Sequence, residues 1–343
     1  LVGRANAKKA TRRAMSVIYL PWSGFRESLI AEIMASGLKS EGRGYGLLTD
    51  SLLPLSFARQ TLPDVQLLEG ASIKEIAEAL FMILSQDEEP WSFHSFSALE
   101  RGKRLLGGER RSELVREALL SLLKKKRRAA LRNLKPGAAV VLQHCLLSED
   151  LSGISCFRIS PSGEQLLSPF EGGRIDIPED KTPPSRAYRK LKEALLTLGK
   201  EFEPGQSVVD LGAAPGSWSY LALRGGAKVF SVDRSHLAPE VLTHHRLSFV
   251  SGDAFSWRPD SAVDWLICDV ICNPERTVRL LEEWLTNRLC KNFCVTMKFK
   301  GEPDFAAVSE LRKILLNRSE FFFLRHLENN KNEITACGSC ASR

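Results

Sequence analysis

The sequence has no apolar run approaching the roughly 20 residues that a membrane span needs, so no spanning segment is expected. Its basic opening, LVGRANAKKATRR, is not followed by the apolar stretch of a secretory signal. A short β-like run, Met15 to Leu20, stands there instead. Eight cysteines in 343 residues are too few for a disulfide scaffold, and a reducing cytoplasm is the expected setting. The pairs Cys268/Cys272, Cys290/Cys294 and Cys337/Cys340 fall in strand and turn contexts. They read as buried thiols, because a zinc site needs four ligands converging on one ion; no metal is expected.

What the chain does have is the composition of a folded protein: 43% hydrophobic and 26% charged residues, with room for two or three domains. Its net charge of +7 is unevenly spread. Residues 1–170 carry 24 Lys/Arg against 18 Asp/Glu, and residues 171–343 carry 24 against 23. The stretch 101–135 alone holds 13 basic and 3 acidic residues. A polyanion touching the N-terminal half is the partner this asymmetry predicts.

The chain is organised around residues 207–233, SVVDLGAAPGSWSYLALRGGAKVFSVD. Ser207 to Leu211 reads as a buried parallel strand that breaks into the small-residue turn Gly212–Gly216; a helix opens near Ser217, and a second strand ends on Asp233. Small residues let the backbone approach a ligand, and an acid about 20 residues past the turn suits the two hydroxyls of a ribose. The turn is Gly-Ala-Ala-Pro-Gly, however, and not the Gly-x-Gly-x-x-Gly that lays a pyrophosphate on a helix N-terminus. Asp210, just before it, would repel a phosphate and attract a cation. A ligand with a ribose and a positive centre fits better, and S-adenosylmethionine has both.

Before this region the chain divides into three. Residues 1–70 read as a small α+β module with no catalytic constellation. Residues 71–160 read as helix (Ser72 to Ser85), aromatic strand (WSFHSFS), a helix pair or one long helix over Glu109–Leu134, and a hairpin. His94 and His144 sit there in strand-like apolar settings and read as structural. Residues 161–184, rich in Pro, Gly, Ser and acids, read as a linker. Residues 185–343 then alternate strands and helices, beginning with SRAYRKLKEALLTLG, which Ser185 can cap and Gly199 can end. Ligands of open α/β sheets bind beyond the carboxyl ends of the strands, where Asp210, Asp233, Asp253, Asp269 and Lys298 collect.

The wording DLGAAPGSW resembles the S-adenosylmethionine loop of the FtsJ-like ribose 2′-O-methyltransferases, Asp-Leu-Gly-x-x-Pro-Gly-x-Trp. The stretches PWSFHSFS, PPSRAYRKLKEAL, ICDV and HLENNKNEIT extend the likeness to the RlmM family, the bacterial 23S ribosomal RNA cytidine 2′-O-methyltransferases. That resemblance implies a Rossmann-like α/β methyltransferase domain preceded by a smaller α+β, THUMP-like RNA-binding region. It implies a cofactor site at Asp210, Gly212, Ala213, Ala214, Pro215, Gly216, Ser217, Trp218, Asp233, Asp253 and Asp269, binding S-adenosyl-L-methionine.

It further implies a Lys-Asp-Lys-Glu catalytic tetrad, matched in order by Lys190, Asp269, Lys298 and Glu333. Lys298 is the expected base, with Lys300 as its rival two residues on. The implied partner is large-subunit ribosomal RNA before full assembly, held through 101–135 and the catalytic face, with no membrane and no obligate protein partner. Two other methylation chemistries lack their motifs: no Pro-Cys dipeptide exists for attack on a base carbon, and CNPE is half of an Asn-Pro-Pro-aromatic motif. The non-catalytic alternative, an RNA-binding assembly factor retaining the fold, would be expected to have lost part of the tetrad or the loop acids. The Ala-Ala loop and VICNP depart from the family and leave the target nucleotide open.

Overall fold

The computed structural model describes residues 15–84, 89–99 and 108–341. The N-terminal basic run, Ser85 and residues 101–107 of the basic stretch lie outside the described residues. Among the described residues, no helix is long and apolar enough to cross a membrane.

The first unit comprises β1 (Val17–Pro21), α1 (Arg26–Ala35), β2 (Glu41–Arg43), β3 (Gly46–Thr49) and β4 (Ala58–Leu62). Its antiparallel sheet runs β2-β3-β1-β4. β1 has no polar face because both of its faces are covered. Val17 and Tyr19 join an apolar cluster shared with α1 and the C-terminal domain, whereas Ile18 and Leu20 join Leu62, Cys145 and Leu147 towards the second unit.

That second unit contains β5 (Gln66–Glu69), α2 (Ile73–Ile83), β6 (Trp91–Ser97), α3 (Gly108–Lys126), α4 (Arg128–Arg132), β7 (Val140–Leu146) and β8 (Leu151–Arg158). The sheet order is β5-β8-β7-β6, with β6 and β7 parallel across the helical crossover. A capping box opens α2: the Ser72 hydroxyl accepts from the Glu75 amide, and the Glu75 carboxylate accepts from Ser72 N at 2.8 Å. The helical segment 109–134 is a pair, broken at Arg127, whose guanidinium donates to the Phe81 and Leu84 carbonyls capping α2's last turn.

His144 is fully buried between two hydroxyls, with Nδ1 2.9 Å from Ser95 Oγ and Nε2 3.2 Å from Ser152 Oγ. Ser95 donates its own proton to the Ser112 carbonyl, so Nδ1 must be the protonated ring nitrogen and Nε2 the acceptor. The imidazole is held neutral.

The third unit begins with β9 (Gly163–Glu164) and continues with α5 (Tyr188–Leu198), β10 (Ser207–Leu211), α6 (Ser217–Arg224), β11 (Lys228–Asp233), α7 (Pro239–Leu242) and β12 (Leu247–Ser251). It ends with β13 (Val263–Cys268), α8 (Pro274–Thr286), β14 (Cys290–Lys298), α9 (Phe305–Arg318), β15 (Ser319–Arg325) and β16 (Glu333–Cys340). Its eight strands run β12-β11-β10-β13-β14-β16-β15-β9. The strands from β12 to β14 are parallel, and β16 enters antiparallel to both β14 and β15. α5, α6 and α7 cover one face of the sheet and α8 and α9 the other. The chain order reverses between β10 and β13, which opens a crevice at their carboxyl ends.

Two expectations are corrected here. The segment 161–184 is no free linker. Gly163 and Glu164 add a parallel strand to β15, Gln60 donates to the Ser168 and Phe170 carbonyls at 3.1 Å, and Glu171 pairs with Arg116. Pro, Gly and Ser describe its bends and hide the edge it covers. Ser185 caps the turn before α5 and not the helix itself, which starts at Tyr188: its hydroxyl accepts from Ala187 N at 3.3 Å and meets Ser217 Oγ at 2.7 Å, which ties the entry of α5 to the start of α6. Gly199 ends α5 as expected, at φ 70°.

Burial pushes His144 down to about 3, His94 to about 4 and His326 to about 4. Unfolded imidazoles titrate near 6.5, so the folded state binds fewer protons in this window. Stability is therefore present in full above pH 6.5 and is lost as pH falls towards the folded values. In His144→Gln, the slope of unfolding free energy against pH between 4.5 and 5.5 is expected to be shallower by about 1.4 kcal/mol per unit. Urea titrations at stepped pH read this directly, and equal slopes would contradict the buried neutral imidazole.

Candidate active site

The crevice is floored by the turn after β10. Gly212 takes φ 76°, and a Cβ there would stand 2.3 Å from Val270 Cγ2, so only glycine lets the strand end pass beneath the β13 loop. Asp233, at the end of β11, braces the turn from the side: its Oδ2 accepts from Ala214 N at 3.0 Å and its Oδ1 from Ser235 N at 2.8 Å. Each oxygen keeps a further lone pair for a ligand. A cavity of about 320 Å³ lies here, walled by Gly212, Asp233, Asp253, Phe255, Val270 and Ile271. Asp253 sits on its rim, with Phe255 N donating to it at 2.9 Å and Arg234 at 2.5 Å. The Phe255 amide and then the Arg234 charge hold its carboxyl below the usual value.

A second cavity, of about 780 Å³, shares Ile271 with the first and is lined by Lys190, Lys298, Lys300 and Glu333. At its base the two lysines and the two acids Asp269 and Glu333 close a ring of alternating charge. Lys190 Nζ lies 2.9 Å from Asp269 Oδ2 and 2.8 Å from Glu333 Oε1. Lys298 Nζ lies 2.6 Å from Asp269 Oδ1 and 3.0 Å from Glu333 Oε2. Four elements deliver these groups. Lys298 and Glu333 are cross-strand partners in the β14–β16 register, Asp269 follows β13, and Lys190 sits in the first turn of α5. Thr296 Oγ1 adds a hydrogen bond to Asp269 Oδ1 at 2.7 Å.

The ring is largely dry: side-chain exposure is 11% for Lys190, 4% for Glu333 and 17% for both Asp269 and Lys298. Burial alone would raise the Asp269 carboxyl, but the Lys190 and Lys298 ammoniums outweigh it and hold the acid below its usual value. Burial is likewise the largest influence on Lys298 and pushes its ammonium down. The Asp269 and Glu333 carboxylates together reverse that and hold Lys298 above the ordinary lysine value.

All four residues expected as the tetrad therefore meet. Lys300, the expected rival, lies beyond the end of β14 and is exposed on the cavity wall, away from the ring. Among the residues expected around the cofactor, Gly212, Asp233 and Asp253 line the smaller cavity. Ala213, Ala214, Pro215 and Gly216 form the turn itself. Asp210, Ser217 and Trp218 do not present their side chains as expected. The Asp210 carboxylate is buried against Ser219 Oγ at 2.6 Å, and burial raises it to about 7. Ser217 bonds Ser185, and Trp218 Nε1 donates to the Ala187 carbonyl at 2.9 Å. These three hold α6 in place.

Sequence reasoning missed Phe255, Ile271 and Arg276 around the smaller cavity, and Thr296 behind Asp269. Phe255 and Ile271 each lie two residues beyond a strand-end acid, a position that could have suggested them. The Arg276 guanidinium lies 3.8 Å over the Phe255 ring, a contact with no sequence signal. The eight cysteines carry free thiols, mostly buried. The larger cavity of about 1000 Å³ at the other ends of these strands, lined by Phe93, His94, Leu198 and Phe321, is remote from the charged ring.

An α/β sheet with a glycine turn, a strand-end acid and this ring defines a methyltransferase fold, and residues 183–314 match the FtsJ-like methyltransferase family. More particular likenesses follow. Curated relatives named ribosomal RNA large subunit methyltransferase M are 34% identical over 162 residues in Aromatoleum aromaticum, covering 44% of each chain. The relative of the same name in Marinobacter nauticus is 34% identical over 182 residues, covering 49% of this chain and 50% of that one. In Thauera aminoaromatica the figures are 32% over 176 residues, with 47% and 48% covered. The chain thus spans about half the length of the curated relatives it matches. The resemblance to the RlmM family read from the sequence is matched by these relatives.

Gly212→Ala is expected to lose more than about 1 kcal/mol of stability, since alanine disfavours this φ and its Cβ meets Val270. Urea unfolding tests this; unchanged stability would mean the turn does not pass beneath Val270 as described.

Proposed function

We propose that the protein transfers a methyl group from S-adenosylmethionine to a ribose 2′-oxygen in large-subunit ribosomal RNA, with a cytidine as the expected nucleoside. The observation that supports this reading best is the junction of two cavities at Ile271, one built around a strand-end acid and the other around the charged ring. The smaller cavity fits the cofactor. Asp233 has acceptor capacity for two ribose hydroxyls, Phe255 offers an apolar face for a base, and the glycine at 212 removes the side chain that would fill the floor. Asp233, Gly212, Asp253 and Phe255 would hold it. When bound, the cofactor supplies a methyl already activated on a sulfonium.

The protein's task is to position the hydroxyl and raise the nucleophilicity of its oxygen. Lys298 is the group for this, with Asp269 and Glu333 fixing its Nζ from two sides. Lys190 bridges the same two carboxylates and fixes their spacing. In the free site Lys298 is an ammonium at neutral pH, so it must shed a proton before it accepts one from the ribose. Asp269 orients it, and Lys190 and Glu333 face the cavity that would take the ribose.

Ribosomal RNA before full assembly, in the cytoplasm, is the partner this reading implies, and the second unit is its THUMP-like RNA-binding module. Among the described residues of the basic stretch, some side chains are engaged within the protein: Arg110 pairs with Glu113 and Glu117. Arg111 and Arg127 serve backbone carbonyls and Arg116 pairs with Glu171. Lys124, Lys125, Lys126, Arg128, Arg132 and Lys135 are exposed and available to phosphates. The closed ring argues against the non-catalytic reading.

Because the neutral fraction of Lys298 grows with pH below its raised pKa, kcat is expected to climb about tenfold per pH unit between roughly 7 and 9. Lys298→Ala should lower kcat by ~10²–10⁴-fold. Single-turnover methyl transfer across this range tests both. A flat or falling profile would instead make Lys298 a cation that stabilises the oxyanion.

A further inference from the structure

Within the wider contact between the first unit and the C-terminal domain, one residue leads directly to the charged ring. His326 follows β15, and each of its polar main-chain groups is bound by the N-terminal unit. Its N–H donates to the Ser56 carbonyl at 2.7 Å, and its carbonyl accepts from Trp22 Nε1 at 3.0 Å. Its ring is enclosed by aromatics of the same unit, with centroids 4.0 Å from Phe25, 5.8 Å from Phe57 and 6.5 Å from Trp22. The loop carrying Ser56 and Phe57 is itself held rigid. Glu32 of α1 accepts from Ser56 N at 2.7 Å and from Phe57 N at 2.9 Å, and Arg312 of α9 donates to Ser56 Oγ at 2.9 Å.

The far side of the same imidazole reaches the tetrad. Nδ1 lies 2.8 Å from the Glu333 carbonyl oxygen, and since a carbonyl only accepts, Nδ1 carries the proton. Asn330 Nδ2 makes the second bond to that oxygen at 3.2 Å. The backbone of Glu333 is thereby fixed at the point where its side chain leaves to meet Lys190 and Lys298. His326 is 2% exposed and burial keeps it neutral, so the donor persists through the physiological range.

We propose that His326 is a positioning residue for the tetrad, through which the N-terminal unit sets the place of Glu333 and hence of the Lys298 Nζ. The inference rests on the reading of the ring as the catalytic site. It makes the first unit, which contributes no catalytic group, a working part of that site. Its physical basis is that a displacement of about 1 Å at a reacting group can cost on the order of 10²-fold in rate.

The test compares two amides in the full-length chain. In His326→Asn the side-chain N–H can occupy the place of Nδ1; in His326→Gln the amide reaches one bond further and cannot. Both lose the ring stacking equally, so a difference between them reads the donor. The expected result is a kcat about tenfold lower for His326→Gln than for His326→Asn, with the same dissociation constant for S-adenosylmethionine in both. Equal kcat values would overturn the proposal, whether both match the wild type or both fall together with thermal stability.

A second readout requires no RNA. Lys298 is faced by Asp269 from the end of β13, by Glu333 from β16 and, across those carboxylates, by Lys190 from α5. If Glu333 retreats, the Lys298 ammonium titration followed by NMR should move down by about 0.5–1 pH unit in His326→Gln and stay in place in His326→Asn. That shift without ribose methylation by the wild type would uphold the positioning role and sink the proposed reaction. No shift in either variant would overturn the positioning role.

Discussion

Four charges of zero net sum, closed into a ring with little access to water, are the constraint around which the C-terminal domain is arranged. Removing water from an ammonium or a carboxylate is costly, and only close geometry with every partner in place offsets that cost. Here each ammonium touches both carboxylates and each carboxylate touches both ammoniums, within 2.6–3.0 Å. Withdrawal of one member from a buried pair costs about 3–5 kcal/mol because the other is left uncompensated. The sheet therefore cannot slip in register at β14–β16, nor α5 turn on its axis, without exposing an unpaired charge. The geometry proposed for catalysis is also the one that keeps the ring's net charge at zero.

Support for the ring comes from three directions. The parallel strands bring Asp269 to the crevice where the chain order reverses, and the antiparallel entry of β16 sets Glu333 opposite Lys298. The hydroxyl pair Ser185–Ser217 fastens the start of α5, and with it Lys190, to the first turn of α6. The N-terminal unit closes the third side around His326. The same helix, α6, buries Asp210 through Ser219, so the acid nearest the glycine turn serves the scaffold and the acid one strand over, Asp233, faces the cavity.

Much of this was legible in the chain. The strand–helix alternation after residue 185 follows from short β-branched runs and amphipathic stretches, and the four ring residues were implied in order by the resemblance to the FtsJ-like family. What escaped depends on distance in sequence. The turning of Asp210 depends on Ser219 and on Ser231, which meets the Ser219 hydroxyl at 2.7 Å, and neither serine carries a signature. The edge strand at Gly163–Glu164 is two residues long within a Pro- and Gly-rich stretch, too short for any periodicity. The part His326 plays could not be read locally, because Trp22 lies 304 residues before it. Ser185 reads as the helix cap because its hydroxyl serves the turn at 186–187, and nothing local in the sequence separates that turn from the helix that starts at Tyr188.

The most direct test of the account identifies the atom that receives the methyl group. Large-subunit RNA from cells lacking this protein would be incubated with labelled S-adenosylmethionine and the full-length chain, digested to nucleosides and separated. The account predicts label on a ribose 2′-oxygen, in 2′-O-methylcytidine. Label on a base carbon or an exocyclic nitrogen would contradict it.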